Sequence, residues 1–216
     1  MNGKRPTRRQ ALENCISRGL LLAGTPMAAT NLLAYWQSAE SDAPQAARKA
    51  TPGDVLGPFY KKGAPSQATL RAAGDAGIPL RITGKVLNTA GAKVPGARIN
   101  IWHADHDGIY DLQGYRFRST LAIEDADNYS VDTIMPGHYD DRPAQHVHYL
   151  ITAPGHKSLI TQAYFATDSF FDGDPDKNMR KRNIVSSREL IRPVTLFEKP
   201  GAAHASITFD IILAKA

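Results

Sequence analysis

Only one cysteine, Cys15, occurs in the 216 residues. It lies in an N-terminal segment that reads as removable, so the mature protein has no disulfide, no thiolate metal ligand and no cysteine nucleophile. Long apolar runs are missing too. The best stretch, "GLLLAGTPMAATNLLA" (19–34), is broken by Thr25, Pro26, Thr30 and Asn31, which leaves it too short and too polar for a membrane span. Charge of one sign is scarce beyond the first residues. Positions 1–39 hold five of the 26 cations and one of the 21 acids, leaving 21 cations against 20 acids in 40–216. That near-neutral remainder lacks the electrostatic footprint of a nucleic-acid binder. There is no internal repeat and no glycine-rich phosphate loop.

What remains is an ordinary globular composition, 42% hydrophobic and 22% charged, long enough for one good core plus appendages. The N-terminus carries Lys4, Arg5, Arg8 and Arg9 ahead of the broken apolar stretch, the order of a signal peptide. "PTRRQAL" resembles a twin-arginine export signal, although Ala11 and Glu13 depart from it. The expectation is an export segment at 1–39, a small polar linker at 40–50 and one folded domain at 51–216. The product would be periplasmic, folded with its cofactor before export, and would keep no membrane span after processing.

From Ile78 the pattern alternates apolar and polar residues. "IPLRITGKVLN", "ARINIWHA", "YRFRSTLAI", "NYSVDTIM", "HVHYLITA", "SLITQAYFA" and "ASITFDIILA" read as strands separated by Gly, Pro, Asn and Asp. Seven such runs predict an all-β fold, an antiparallel β-sandwich with long connecting loops. Within 167–201 the periodicity fails, and "DPDKNMRKRN" reads as one short helix or a solvated loop. Trp102 is expected in the core.

In "HVHYLI", His146 and His148 stand two apart on a strand and project from one face. Two imidazoles so placed can share one metal ion, or can simply be a polar face. No thiolate completes a shell; Asp140 and Asp141 are near, and two tyrosines are conspicuous, Tyr139 ending "PGHY" and Tyr110 ending "DHDGIY" just after the strand "INIWHA". A phenol is a poor zinc ligand at neutral pH, whereas a hard ferric ion can displace its proton. His138 would point away from Tyr139's side, and His103, His106, His156 and His204 read as surface or structural.

Taken in order, "WHADHDGIYD", "DTIMPGHY", "RPAQHVHYLITAPGH" and "LITQAYFATD" resemble the intradiol ring-cleavage dioxygenases, ferric enzymes that open catechols between their hydroxyls. "TPGDVLGPFYKKGAP" (51–65) and "SITFDIILA" resemble the family's preceding segment and last strand. The resemblance implies a ferric ion held by Tyr110, Tyr139, His146 and His148, with Tyr139 and His148 axial and Tyr139 doubling as a base. It implies that Arg142 and Gln162 stabilise charge on the substrate ring, and that a catechol-type diol and dioxygen are the reactants, giving a muconate-type diacid. Pocket-lining positions are expected near Leu56, Tyr60 and the loop after Tyr110. Two departures are visible: a loop of only Asp140 and Asp141 before Arg142, and an extra residue, Gln145, before the histidine pair. The offset is expected in the turn rather than the strand, because a one-residue slip would turn the histidines to the other face. A homo-oligomer is left open. Two other readings remain: a non-catalytic transthyretin-like sandwich that binds partners, suggested by "ITGKVLNTAGAKVPGARINIW", and a zinc or ferrous enzyme using His146, His148 and Asp140 or Asp141.

Overall fold

The computed structural model describes residues 47–124, 128–139, 144–171, 174, 176, 185–197 and 203–216. The export-segment reading with Arg8, Arg9 and Cys15, most of the linker, Asp140, Asp141, Arg142 and nearly all of "DPDKNMRKRN" lie outside the described residues. Among the described residues no helix is long and apolar enough to cross a membrane.

Alternating side chains pay off only where one face meets a core, and each of the seven alternating runs forms strand. In chain order they are β1 (Pro79–Gly84), β2 (Val86–Asn88), β3 (Ala97–Trp102), β4 (Arg118–Ile123), β5 (Tyr129–Ile134), β6 (His146–Thr152) and β7 (Leu159–Phe165). Then come β8 (Ile191–Arg192), β9 (Thr195–Phe197), β10 (His204–Thr208) and β11 (Ile211–Leu213). The first and last runs each break in two. At the break, the Lys85 N–H donates to the Asp210 carboxylate (3.0 Å) and the Phe209 N–H to the Thr83 carbonyl (2.8 Å). The short strands β8 and β9 and the 3-10 turns Ser169–Phe171 and Arg188–Leu190 fall in the stretch without periodicity.

Among the described residues the strands form three sheets, in the orders β5-β1-β10-β9, β11-β2 and β4-β3-β6-β7-β8. The expected all-antiparallel pairing is corrected here: β10 runs parallel to β1, β11 to β2 and β8 to β7. Alternation specifies which face a residue takes, not the direction of the neighbouring strand. Strand direction instead follows from the C-terminal segment returning beside β1 and β2.

The four- and five-stranded sheets share one apolar cluster. Leu80, Ile82, Val131, Ala205 and Ile207 from the first meet Ile99, Ile101, Val147, Tyr149, Ile151 and Ala163 from the second, each aliphatic side chain contributing about 1.5–3 kcal/mol by its burial. Burial pushes the hydroxyls of Tyr129 and Tyr149 well above their usual pKa, and Tyr129 donates to the Phe209 carbonyl (2.6 Å). These two are structural phenols.

His103 joins the sheets. Fully buried just after β3, its Nδ1 lies 2.6 Å from the Ala104 carbonyl and its Nε2 2.6 Å from the hydroxyl of Thr133 on β5. A proton on Nδ1 lets Nε2 accept from Thr133, so the neutral ring satisfies both contacts. Burial lowers the His103 pKa from 6.5 to about 4. Because the folded value is depressed, the unfolded chain takes up the proton first as pH falls. The stability contributed by neutral His103 is therefore intact above pH 6.5 and is lost progressively toward pH 4, a loss of about 3 kcal/mol. Urea unfolding at pH 7 and at pH 4.5 should show this slope in the wild type and a flatter one in His103→Gln; parallel slopes would contradict it.

Candidate metal centre

Strand β6 lies between β3 and β7, antiparallel to both. Val147, Tyr149 and Ile151 go into the main core, so His146, His148 and Leu150 must take the opposite face. There Trp102 of β3 pairs with His148, and on the other side Gln162 pairs with His148 and Tyr164 with His146. The site is thus built on the outer face of the five-stranded sheet. Gln145 precedes β6, and its N–H donates to the buried carboxylate of Asp168. Both histidines lie on the face opposite Val147, Tyr149 and Ile151.

A second apolar cluster surrounds the histidines: Trp102, Ala104 and Tyr110, with Leu56, Phe59, Tyr60, Tyr139 and Leu150 packed against them. Trp102 belongs to this cluster rather than to the main core, and stacks on His148 at 4.9 Å with an interplanar angle of 3°. Phe59 stacks on Tyr110 at 4.2 Å and 17°. The covering segment is pinned by backbone: Asp54 N–H donates to the Ile160 carbonyl (2.9 Å), and Gln162 Nε2 to the Val55 carbonyl (2.7 Å). Leu56 and Tyr60, expected near the pocket, lie in this cover.

The two tyrosines arrive on loops that press backbone to backbone. The Gly137 N–H donates to the Asp105 carbonyl (2.7 Å), and a Cβ at Gly137 would stand 2.3 Å from the His106 carbonyl. The loop after Tyr110 is shaped by Asp111, whose carboxylate accepts the N–H groups of Gly114, Arg116 and Gln113 and is held below the usual carboxylate range by them.

The donor atoms converge. Tyr110 Oη lies 3.1 Å from His148 Nε2 and 3.3 Å from His146 Nε2. Donors bound at right angles to an ion about 2 Å away stand about 3 Å apart, so these two distances are the spacing of two edges of one coordination shell that meet at Tyr110 Oη. His146 Nδ1 lies 2.7 Å from the Ala144 carbonyl; with its proton there, Nε2 presents a lone pair to the site. The ring of Tyr139 is 6.0 Å from the rings of Tyr110 and His146, half-buried at the same mouth. Phenol and imidazole donors without thiolate suit a hard, high-valent ion.

Gln162 is fully buried beside His148, with its amide nitrogen on Val55 and its Oε1 accepting from Tyr164 Oη (2.8 Å). Arg142 falls outside the described residues. Sequence reasoning missed Trp102's contact with His148, the Phe59 stack, and Arg118, whose guanidinium is buried 5.9 Å from the centre of the Tyr110 ring. His106 lies with Asp105 and Asp107 in an exposed group, where Asp105 closes its own turn by accepting from Asp107 and Ile109 N–H. His138 is exposed, and His156 and His204 sit away from the centre, on Pro154 and Phe197. A cleft of about 400 Å³ opens at Tyr110, Ile109 and Arg116. A larger one, about 660 Å³, lies at Arg81, Asp132 and His204, where Arg81 and Asp132 pair with each other.

Residues 55–215 match a family model described as Dioxygenase. Over 193 residues the chain is 30% identical to the chlorocatechol 1,2-dioxygenase of Rhodococcus opacus, covering 76% of this chain and 72% of that protein. It is 32% identical to the hydroxyquinol 1,2-dioxygenase of Nocardioides simplex, over 77% of this chain and 66% of that protein; the chain spans about two thirds of the length of such relatives. The dioxygenase domain of a dioxygenase carbohydrate-binding protein fusion from Streptomyces sp. SirexAA-E superposes with a TM-score of 0.65 at 27% identity, over 78% of this chain and 100% of that one. Catechol 1,2-dioxygenase from Pseudomonas arvilla C-1 shares the fold, with a TM-score of 0.68 at 24% identity over 87% of this chain and 68% of that one.

Gly57 tests the packing around His148. Its φ is +72°, and a Cβ there would stand 2.9 Å from His148 Cε1. Gly57→Ala should cost about 1–2 kcal/mol of stability from the left-handed backbone alone. By tilting His148 off Trp102, it should also weaken iron binding by about ten-fold or more. Urea unfolding and iron titration check both, and wild-type values in both would contradict the assignment.

Proposed function

Because the chain belongs to the intradiol ring-cleavage dioxygenases and is an enzyme of that class, we propose that it cleaves a catechol-type diol between its hydroxyls on a ferric ion held by Tyr110, Tyr139, His146 and His148. The observation that carries this reading is the approach of Tyr110 Oη to both histidine Nε2 atoms at 3.1 and 3.3 Å. Ferric iron, when bound, would act as a Lewis acid toward the diol and draw electron density from its ring, priming it for dioxygen.

The protein's own groups do the rest. Tyr139, half-buried at the mouth, takes a proton from a catechol hydroxyl onto its Oη. Gln162, held from both ends by Val55 and Tyr164 beside His148, is assigned to favour negative charge on the ring; Arg142 is assigned the same task. The aromatic cover of Phe59, Tyr60 and Trp102 suits a flat apolar ring and excludes water from it. Both oxygen atoms enter the diacid product, and no external reductant is consumed. The shared core of the two larger sheets supports a β-sandwich, and the basic head with Arg8 and Arg9 supports export to the periplasm. The non-catalytic binding-module reading falls with the enzyme class. A phenol oxygen within reach of both histidine Nε2 atoms favours ferric iron over the zinc or ferrous alternative.

Tyr139→Phe should lower catechol-dependent oxygen uptake by about 10²-fold or more, and His148→Ala should lower iron content as well. Wild-type oxygen uptake in both variants would show the assignment to be wrong.

A further inference from the structure

Arg118 opens β4 opposite Trp102 and is 2% exposed. Burying a guanidinium costs several kcal/mol in lost hydration, and burial pulls its pKa below the usual value. Among the described residues no carboxylate lies within ion-pair distance to offset that cost. Two of its donors go to backbone carbonyls, Nη1 to Phe59 (2.6 Å) and Nη2 to Asp111 (3.2 Å), while its buried Nε finds no acceptor among the described residues. Those carbonyls belong to the residue stacked on Tyr110 and the residue that follows Tyr110. The backbone is strained to put the side chain there. Phe117, immediately before it, has a φ of +53°, the only positive φ of a non-glycine residue among those described, a conformation that costs about 1–3 kcal/mol.

A second cation repeats the pattern. Lys61 Nζ donates to the carbonyls of Gln113 (2.8 Å) and Gly114 (3.2 Å), and Tyr115 Oη donates back to the Lys62 carbonyl (3.0 Å). The segment carrying Phe59 and the loop carrying Tyr110 are therefore tied at two points, one buried and one at the surface. The planar fork of Arg118 fits this task because its two Nη atoms, fixed in one plane, each address a different segment, whereas the single nitrogen of Lys61 reaches only neighbouring carbonyls of one loop.

From this geometry we infer that Arg118 is a positioning residue for the metal centre: its fork holds the Phe59 ring against Tyr110 and so sets the orientation of the phenol toward the ion. This rests on the reading of Tyr110 as a ligand. A ligand turned by a fraction of an ångström changes how well the reacting groups meet, and such misplacement is expected to cost turnover more than binding.

The test uses Arg118→Gln, Arg118→Lys and Phe59→Leu in the full chain. In the iron-free protein, amide hydrogen exchange across 56–63 is measured by mass spectrometry. In the iron-loaded protein, the visible tyrosinate band is recorded together with kcat and KM for catechol. Both Arg118 variants should speed exchange across 56–63, shift the band and lower kcat by about ten-fold or more with little change in KM. Lysine should not rescue, because it keeps the charge and loses the fork. Phe59→Leu, which leaves the carbonyl contacts in place, should shift the band in the same direction; it keeps the test decisive if the Arg118 variants do not fold. Unchanged exchange in a folded Arg118→Gln protein, full rescue by lysine, or an unmoved band in Phe59→Leu overturns this inference alone. An iron-loaded wild type with no tyrosinate band overturns the ferric reading and this inference with it.

Discussion

The constraint on which the site depends is the two-residue period of β6, a strand hydrogen-bonded along both edges. Val147, Tyr149 and Ile151 are fully buried in the main core, and they hold the register. A slip of one residue would bury two imidazoles among aliphatic side chains and put that apolar set where the site needs donors, at a cost of several kcal/mol for the stranded imidazoles. The core thereby aims His146 and His148 outward without touching them. The neighbouring strands obey the same rule, which is why Trp102 and Gln162 meet His148 on its two sides.

A sheet face alone would leave the histidines in water. The segment 51–60 covers it, and the tyrosine loops close around it because glycine backbones let them approach. Their attachments are mostly to main-chain carbonyls: Gln162 to Val55, Arg118 to Phe59 and Asp111, Lys61 to Gln113 and Gly114. Such bonds fix loop position whatever side chains the loops carry. The aromatic stacks, Phe59 on Tyr110 and Trp102 on His148, then fix ring orientation with flat apolar surfaces. Order thus passes from strand register to loop position to ring angle, and each level is held by a different kind of interaction.

The seven strand runs were legible because alternation is a local signal, and the histidine pair was legible because it rides on that signal. Strand direction was not: nothing local in "SITFDIILA" says that it returns parallel to "PLRITGKVLN". Tyr110 and Tyr139 stood out by their place at the ends of Gly-containing turns, but their convergence depends on a close backbone approach that only the fold reveals. Arg118 was hidden because, in "YRFRST", it looks like any charged strand residue. Its burial follows from the left-handed turn at Phe117, which bulky side chains rarely adopt and which sequence therefore argues against. Trp102 was rightly taken as buried, but that its cluster is the one around the histidines was not legible, since Ile101 and Trp102 are both buried on opposite sides of β3.

Resonance Raman spectroscopy of the iron-loaded protein, excited in its visible absorption, tests the central claim most directly. If Tyr110 and Tyr139 bind a ferric ion beside His146 and His148, phenolate ring modes will be enhanced, and Tyr110→Phe will remove one set while the other persists. An iron-loaded protein that is colourless, or whose spectrum carries no phenolate modes, would contradict the account.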